Sequence, residues 1–353
     1  MRLSKHALTV LKAQYRSVLK KCLLINAGLF IAFSASAADT ITGDFPGGTF
    51  KDINIQGTES SLKKAEINEA ELDRSNPVSN YNFNYADVKI TESDMETDGN
   101  INISNSVLSV SCTGNNCQPD EKGPGDGFLG TDVTIKDSTI TMGKQKDTTD
   151  YAYIGANRSF KINNSKVILN GNSTVAYEGD EDSEKEYGIG SVEISNGSEI
   201  TLNDEAKLNI GEENYKSNAD LKISDSKITL NDKSTVQFLG NQGKTTVTNS
   251  EITMNDESSM KLNDLELTKS TITMNDQSTL NVTNVKLNNS SILGKGNVVE
   301  FNGDVEFSGF FDPAKAIVDG NVLNRKFADG GYDDEIDWTI TNGTLQYSED
   351  KIL

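Results

Sequence analysis

The chain has 353 residues with 33 basic and 53 acidic side chains, a formal charge of −20 and a mean hydropathy of −0.49. Such an excess of carboxylates repels nucleic acid and anionic lipid and suits a soluble, exported protein. Its one histidine is His6, so the rest of the chain has no imidazole for a Ser–His–Asp or Cys–His nucleophile, or for a histidine-ligated zinc or iron.

The opening carries Arg2, Lys5, Lys12, Arg16, Lys20 and Lys21 without an acidic residue, then an apolar run from Cys22 to Phe33, then Ala35-Ser36-Ala37. A basic region, a short apolar core and a small-x-small cleavage pattern predict a secretory signal over residues 1–37. The apolar run is too short to remain as a span, so no transmembrane segment is expected in the mature chain. The leader takes six of the 33 basic residues and none of the 53 acidic ones, leaving 27 against 53, a net charge near −26.

From Thr40 to Asn100 short runs alternate apolar and polar residues, as in Phe50-Lys-Asp-Ile-Asn-Ile55 and Ala86-Asp-Val-Lys-Ile-Thr91. That alternation is the period of a strand with one buried face. Cys112 and Cys117 follow in Cys-Thr-Gly-Asn-Asn-Cys. In an exported protein a pair this close is expected to form a disulfide across one loop.

From about residue 101 a frame repeats. Ile223-Ser-Asp-Ser-Lys-Ile-Thr-Leu-Asn-Asp232, Val247-Thr-Asn-Ser-Glu-Ile-Thr-Met-Asn-Asp256 and Leu267-Thr-Lys-Ser-Thr-Ile-Thr-Met-Asn-Asp276 are three copies. The serines Ser106, Ser138, Ser165, Ser198, Ser226, Ser250, Ser270 and Ser290 mark the frame at separations of 32, 27, 33, 28, 24, 20 and 20 residues. Self-similarity at this period is the signature of a solenoid, with the shortest value as the bare coil and the excess as loops. The loop segments 118–127 and 178–186 are accordingly rich in turn formers or charge. Three inward pairs recur per coil, for example Leu265/Leu267, Ile272/Met274 and Leu280/Val282. The expected fold is all-β, a right-handed parallel β-helix with three short strands per coil of about 20 residues or more, and a divergent cap. The β-helix is assigned to residues 38–304 and the cap to 305–353, which holds Trp338.

Asn203, Asn231, Asn255 and Asn275 end the second strand of successive coils, where their amides are expected to form a ladder. The serines before that strand are expected to stack in the same way. Asp204, Asp232, Asp256 and Asp276 follow the asparagines, and like charges stacked ~4.8 Å apart repel by about 1 kcal/mol per pair in water. They are expected to splay into solvent, to pair with Lys207, Lys233 or Lys261, or to collect calcium. With Asp180 and Asp182 they are the calcium candidates; no other cofactor is expected.

The long basic leader and the Ser/Thr/Asn/Asp-rich repeats together resemble the passenger domains of bacterial autotransporters. That resemblance implies an exported scaffold, at the cell surface or secreted, with the periplasm as the alternative. It carries over no site residue, because passengers share a scaffold rather than a site. Residues 305–353 are too few for an eight-stranded membrane barrel, so the alternatives are a periplasmic protein, a released one, export by a separate outer-membrane translocator, or a truncated product of a longer gene.

No catalytic residue is assigned and the ligand is left open. The expected function is non-enzymatic: adhesin-like or stalk-like binding of host, cell-surface or extracellular molecules. The alternative is a carbohydrate-active enzyme, a lyase or glycoside hydrolase, which needs two or three carboxylates and a neutralising cation on the coil surface. Arg74, Arg158 and Arg325 are the only arginines beyond the leader, which weighs against it.

Overall fold

Alternating apolar and polar residues leave each segment one face to bury, and a four-residue strand cannot bury it alone. In a computed structural model of the chain, each segment lies in parallel register on the equivalent segment of the next repeat. The structure describes residues 52–68, 79–93, 95–113, 127–177, 190–211, 219–239 and 243–294 in full, with Val299; strands elsewhere between 29 and 341 are described by their backbone. Among the described residues there is no helix, and the strands form one sheet of nineteen and one of twelve.

The twelve-stranded sheet holds the second strand of every repeat. Ile140, Val167, Ile200, Ile228, Ile252, Ile272 and Ile292 are register partners in succession, each no more than 3 % exposed. These partners lie 27, 33, 28, 24, 20 and 20 residues apart in the chain. Loops therefore absorb the differences in length while the inward positions stay in line.

The nineteen-stranded sheet takes the other strands of each repeat. In the shortest coils, Ser259–Thr268 and Thr279–Asn288 each run through a corner without a break. Burial alternates through Met260 and Leu262, slips by one at Asn263-Asp264, and resumes at Leu265 and Leu267. Where the pattern predicts two separate strands, the backbone joins them. In longer repeats the two strands are separate, Thr174–Tyr177 from Gly190–Ser195 and Lys207–Ile210 from Ala219–Ser224.

The irregular stretch before residue 101 belongs to the same stack. Ile53 pairs with Tyr81 and Tyr81 with Ile101, while Ile55, Phe83 and Ile103 form the next row. Aromatic rings replace aliphatic side chains here, and Phe128 packs edge-on to Tyr81 at 5.0 Å and stacked on Phe83 at 5.9 Å between centroids. One contiguous core runs from Ile53 to Val299.

Strand pairing also crosses both predicted boundaries. Leu29–Ile31, inside the predicted leader, pairs with Ile53–Ile55. Val305–Ser308 and Trp338–Thr341, inside the predicted cap, extend the sheet beyond Val285–Asn288. An open sheet end offers unpaired N–H and C=O groups to any β-prone segment, which is the physical reason for both additions. Val318–Asp319 and Val322–Asn324 also pair with the strands before them; the remainder of the leader and cap lies outside the described residues.

Candidate functional surface

The corner before the second strand is built from one left-handed residue and one serine. Asn105, Asp137, Asn164, Asp225, Asn249, Lys269 and Asn289 all have φ between 45° and 49°, a region Asn and Asp tolerate better than other residues with a Cβ. The serine hydroxyl that follows donates to the carbonyl two residues back, at 2.7 Å from Ser250 to Thr248 and 2.8 Å from Ser270 to Thr268. It also accepts the N–H of the serine one coil earlier, at 3.1 Å from Ser250 to Ser270 and 3.0 Å from Ser270 to Ser290. Each hydroxyl thus satisfies two backbone groups that the corner would otherwise bury unpaired.

At the next corner the asparagine amides meet. Asn203 donates to Asn170 at 2.9 Å, and Asn231, Asn255 and Asn275 each donate to the preceding asparagine at 2.8 Å. Asn170 heads the row and donates to the Met142 carbonyl at 3.3 Å. The left-handed residue of this turn is the aspartate, with φ of 60°, 57°, 56° and 60° at Asp204, Asp232, Asp256 and Asp276.

The stacked aspartates take a fourth course beyond the three considered from sequence. Gly171 N–H donates to Asp204 at 3.0 Å, Asp204 N–H to Asp232 at 3.1 Å, and Asp232 N–H to Asp256 at 3.3 Å. Lys146 N–H adds a second donor to Asp204 at 2.8 Å. Charge-assisted bonds from backbone amides offset the repulsion along the column. Lys233 pairs with Glu257, at 4.0 Å, rather than with an aspartate. Among the described residues no three carboxylate, cysteine or histidine groups converge as a metal site; Asp180 and Asp182 lie outside them.

Cys112 is disulfide-bonded; its expected partner Cys117 lies outside the described residues. The base of that loop is held by two carboxylates that the repeat pattern did not single out. Asp150, fully buried, accepts Ser111 Oγ at 2.7 Å and Cys112 N–H at 2.8 Å. Glu92 accepts both the N–H and the hydroxyl of Thr113, at 2.9 and 3.0 Å.

The outward sheet faces are laid out in columns. Upstream, Asn102 donates to Asn82 at 2.8 Å and Asn82 to Asn54 at 2.9 Å, a second ladder whose trace in sequence is Asp-Ile-Asn-Ile-Gln, Asn-Tyr-Asn-Phe-Asn and Asn-Ile-Asn-Ile-Ser. On the twelve-stranded sheet, Lys166, Glu199, Lys227 and Glu251 are successive register partners. Lys227 and Glu251 pair at 3.0 Å, and the hydrogen bond to Glu251 raises the Lys227 pKa, with Glu199 adding to it. Beside that column stand Thr141, Ile168, Thr201, Thr229, Thr253 and Thr273. On the other sheet Lys161 pairs with Glu193 at 4.0 Å and Lys244 with Glu266. Arg158 binds Asp132 through Nε at 2.9 Å and through Nη2, where the register shifts between Gly130 and Asp132. That hydrogen bond, with the guanidinium charge, holds the Asp132 carboxyl below the usual carboxylate range.

A shallow hollow of about 310 Å³ opens beside Asp137, Asn164, Lys166, Gly197 and Glu199. It sits where Asn196 and Gly197, with φ of 55° and 80°, both turn left-handed ahead of Ser198. No protein-family model, curated protein or solved structure matches this chain.

Proposed function

We propose that the chain is an exported, non-enzymatic scaffold: a right-handed parallel β-helix with three strands per coil, similar to an autotransporter passenger. It displays its flanks at the cell surface or in the medium to bind cell-surface or extracellular molecules. The observation that carries this reading is how the polar side chains of the coils are used. Serine hydroxyls bond both their own corner and the neighbouring coil, and asparagine amides and the aspartate column bond the neighbouring coil, as a stack needs and as a reaction centre does not. Among the described residues no helix is long and apolar enough to cross a membrane.

The carbohydrate-active alternative is favoured by the hollow, where Asp137 and Glu199 stand near Lys166. Incubating the purified protein with acidic and neutral polysaccharides, with and without calcium, separates the two. The scaffold reading predicts no released product. Turnover that is lost in Asp137→Asn and Glu199→Gln would replace it with the enzyme reading.

A further inference from the structure

The four-residue charge column of the twelve-stranded sheet alternates in sign, as pairing between neighbouring strands favours, and its even length gives it a further property. Read along the stack it runs Lys166, Glu199, Lys227, Glu251, alternating in sign, and it is bounded by the neutral Thr139 and Thr271. Reversed, it becomes its own complement. A second copy laid face to face with its stack antiparallel, about a two-fold axis between the Glu199 and Lys227 strands, sets Lys166 against Glu251 and Glu199 against Lys227. A parallel copy sets like charge on like charge at all four positions and is rejected.

The flanking column of the six central strands is compatible with the same axis. Thr201 meets Thr229, Ile168 meets Thr253 and Thr141 meets Thr273, so the flanking column places no charge against another. The side chains are available: Lys227 and Glu251 are 65 % and 66 % exposed, and Val107 on the same face is one of two large apolar residues exposed among those described. We propose that this face is a self-recognition surface, whose partner is a second copy of the chain in antiparallel orientation.

Nine strands four residues wide, with the two-residue Val318–Asp319, ~4.8 Å apart, give about 530 Å² per copy, or roughly 1,060 Å² for the pair, at the lower limit for a specific interface. The association is therefore weak, and screened by salt. The inference needs the coil register but not the adhesin-like reading, so the two stand or fall separately.

Charge swaps that leave net charge unchanged test it. Lys227→Glu with Glu251→Lys preserves an opposite-charge pair within the chain, yet turns the column into +, −, −, +, which repels its own antiparallel copy. Lys166→Glu with Glu199→Lys gives −, +, +, −, which also repels itself but complements the first variant. In sedimentation velocity at low salt, the wild-type protein is expected to shift from monomer toward dimer as concentration rises. Each double variant alone is expected to remain monomeric, and their equimolar mixture to recover the shift. Recovery on mixing also shows that both variants are folded. A wild-type protein monomeric up to millimolar concentration, a double variant that self-associates like wild type, or a mixture without recovery would overturn the proposal.

Discussion

Asn231 donates its amide to Asn203 and accepts that of Asn255, so truncating it strands a partner on each side. Leaving such part-buried groups unpaired costs about 1–3 kcal/mol, and Asn231→Ala is expected to lower the thermal midpoint accordingly. An unchanged midpoint would mean the amide row contributes nothing to the stack. Ser258 presents the opposite case. Its hydroxyl is buried without a hydrogen-bond partner, and the equivalent turn residue one coil pair earlier is the fully buried Ala206. Ser258→Ala is therefore expected to stabilise the protein by about 1 kcal/mol in a denaturant titration; a loss of stability would show that the hydroxyl has a use. Lys269 occupies a left-handed corner at φ 49° where its neighbours in the stack are Asn249 and Asn289, and nothing in the described structure explains a lysine there.

Strands and corners differ in how far sequence reveals them. The inward rows are visible in sequence because burial allows few residue types: Ile228, Ile252 and Ile272 differ in spacing but not in character, and the ladder pairs them directly. The coil with Tyr81 and Phe83 is harder to see, since Ala86 stands in its serine position and donates its N–H to the Ser106 hydroxyl oxygen. The outward columns could not be read at all before the register was fixed, because loops of unequal length hide which lysine neighbours which glutamate. The role of the aspartates was hidden for a related reason: their partner is a backbone amide, and amides leave no mark in sequence. The Arg158–Asp132 pair belongs to this class too, placed by a register shift. Its lowered Asp132 pKa means the pair stabilises the folded chain above the ordinary carboxylate value, and that contribution is lost as pH falls through the lower folded value. Since Arg158 is 60 % exposed, the effect is at most about 1 kcal/mol. Asp132→Asn is expected to lower the melting temperature slightly at neutral pH and by less as pH falls below the ordinary carboxylate range; a loss that does not shrink with falling pH would contradict the pairing.

Over the whole molecule, the sheet columns and the acidic segments differ in how they carry charge. The regular sheet columns place opposite or neutral charges side by side, as at Lys166, Glu199, Lys227 and Glu251, whereas the segment 178–186 that interrupts the coils concentrates carboxylates. Such a design keeps the stack free of lateral repulsion while other segments carry the excess negative charge. It also leaves function on the flanks, since nearly every inward position is apolar and filled.

All of this depends on distance along the molecule being counted in windings rather than residues. Spin labels at Thr141 paired in turn with Ile168, Thr201, Thr229, Thr253 and Thr273, read by double electron–electron resonance and paramagnetic broadening, measure that count directly. The expected separations rise by ~4.8 Å per step, reaching about 24 Å between Thr141 and Thr273, although the intervening segments are 27, 33, 28, 24 and 20 residues long. Separations that follow segment length, or that fail to increase evenly, would contradict the stack.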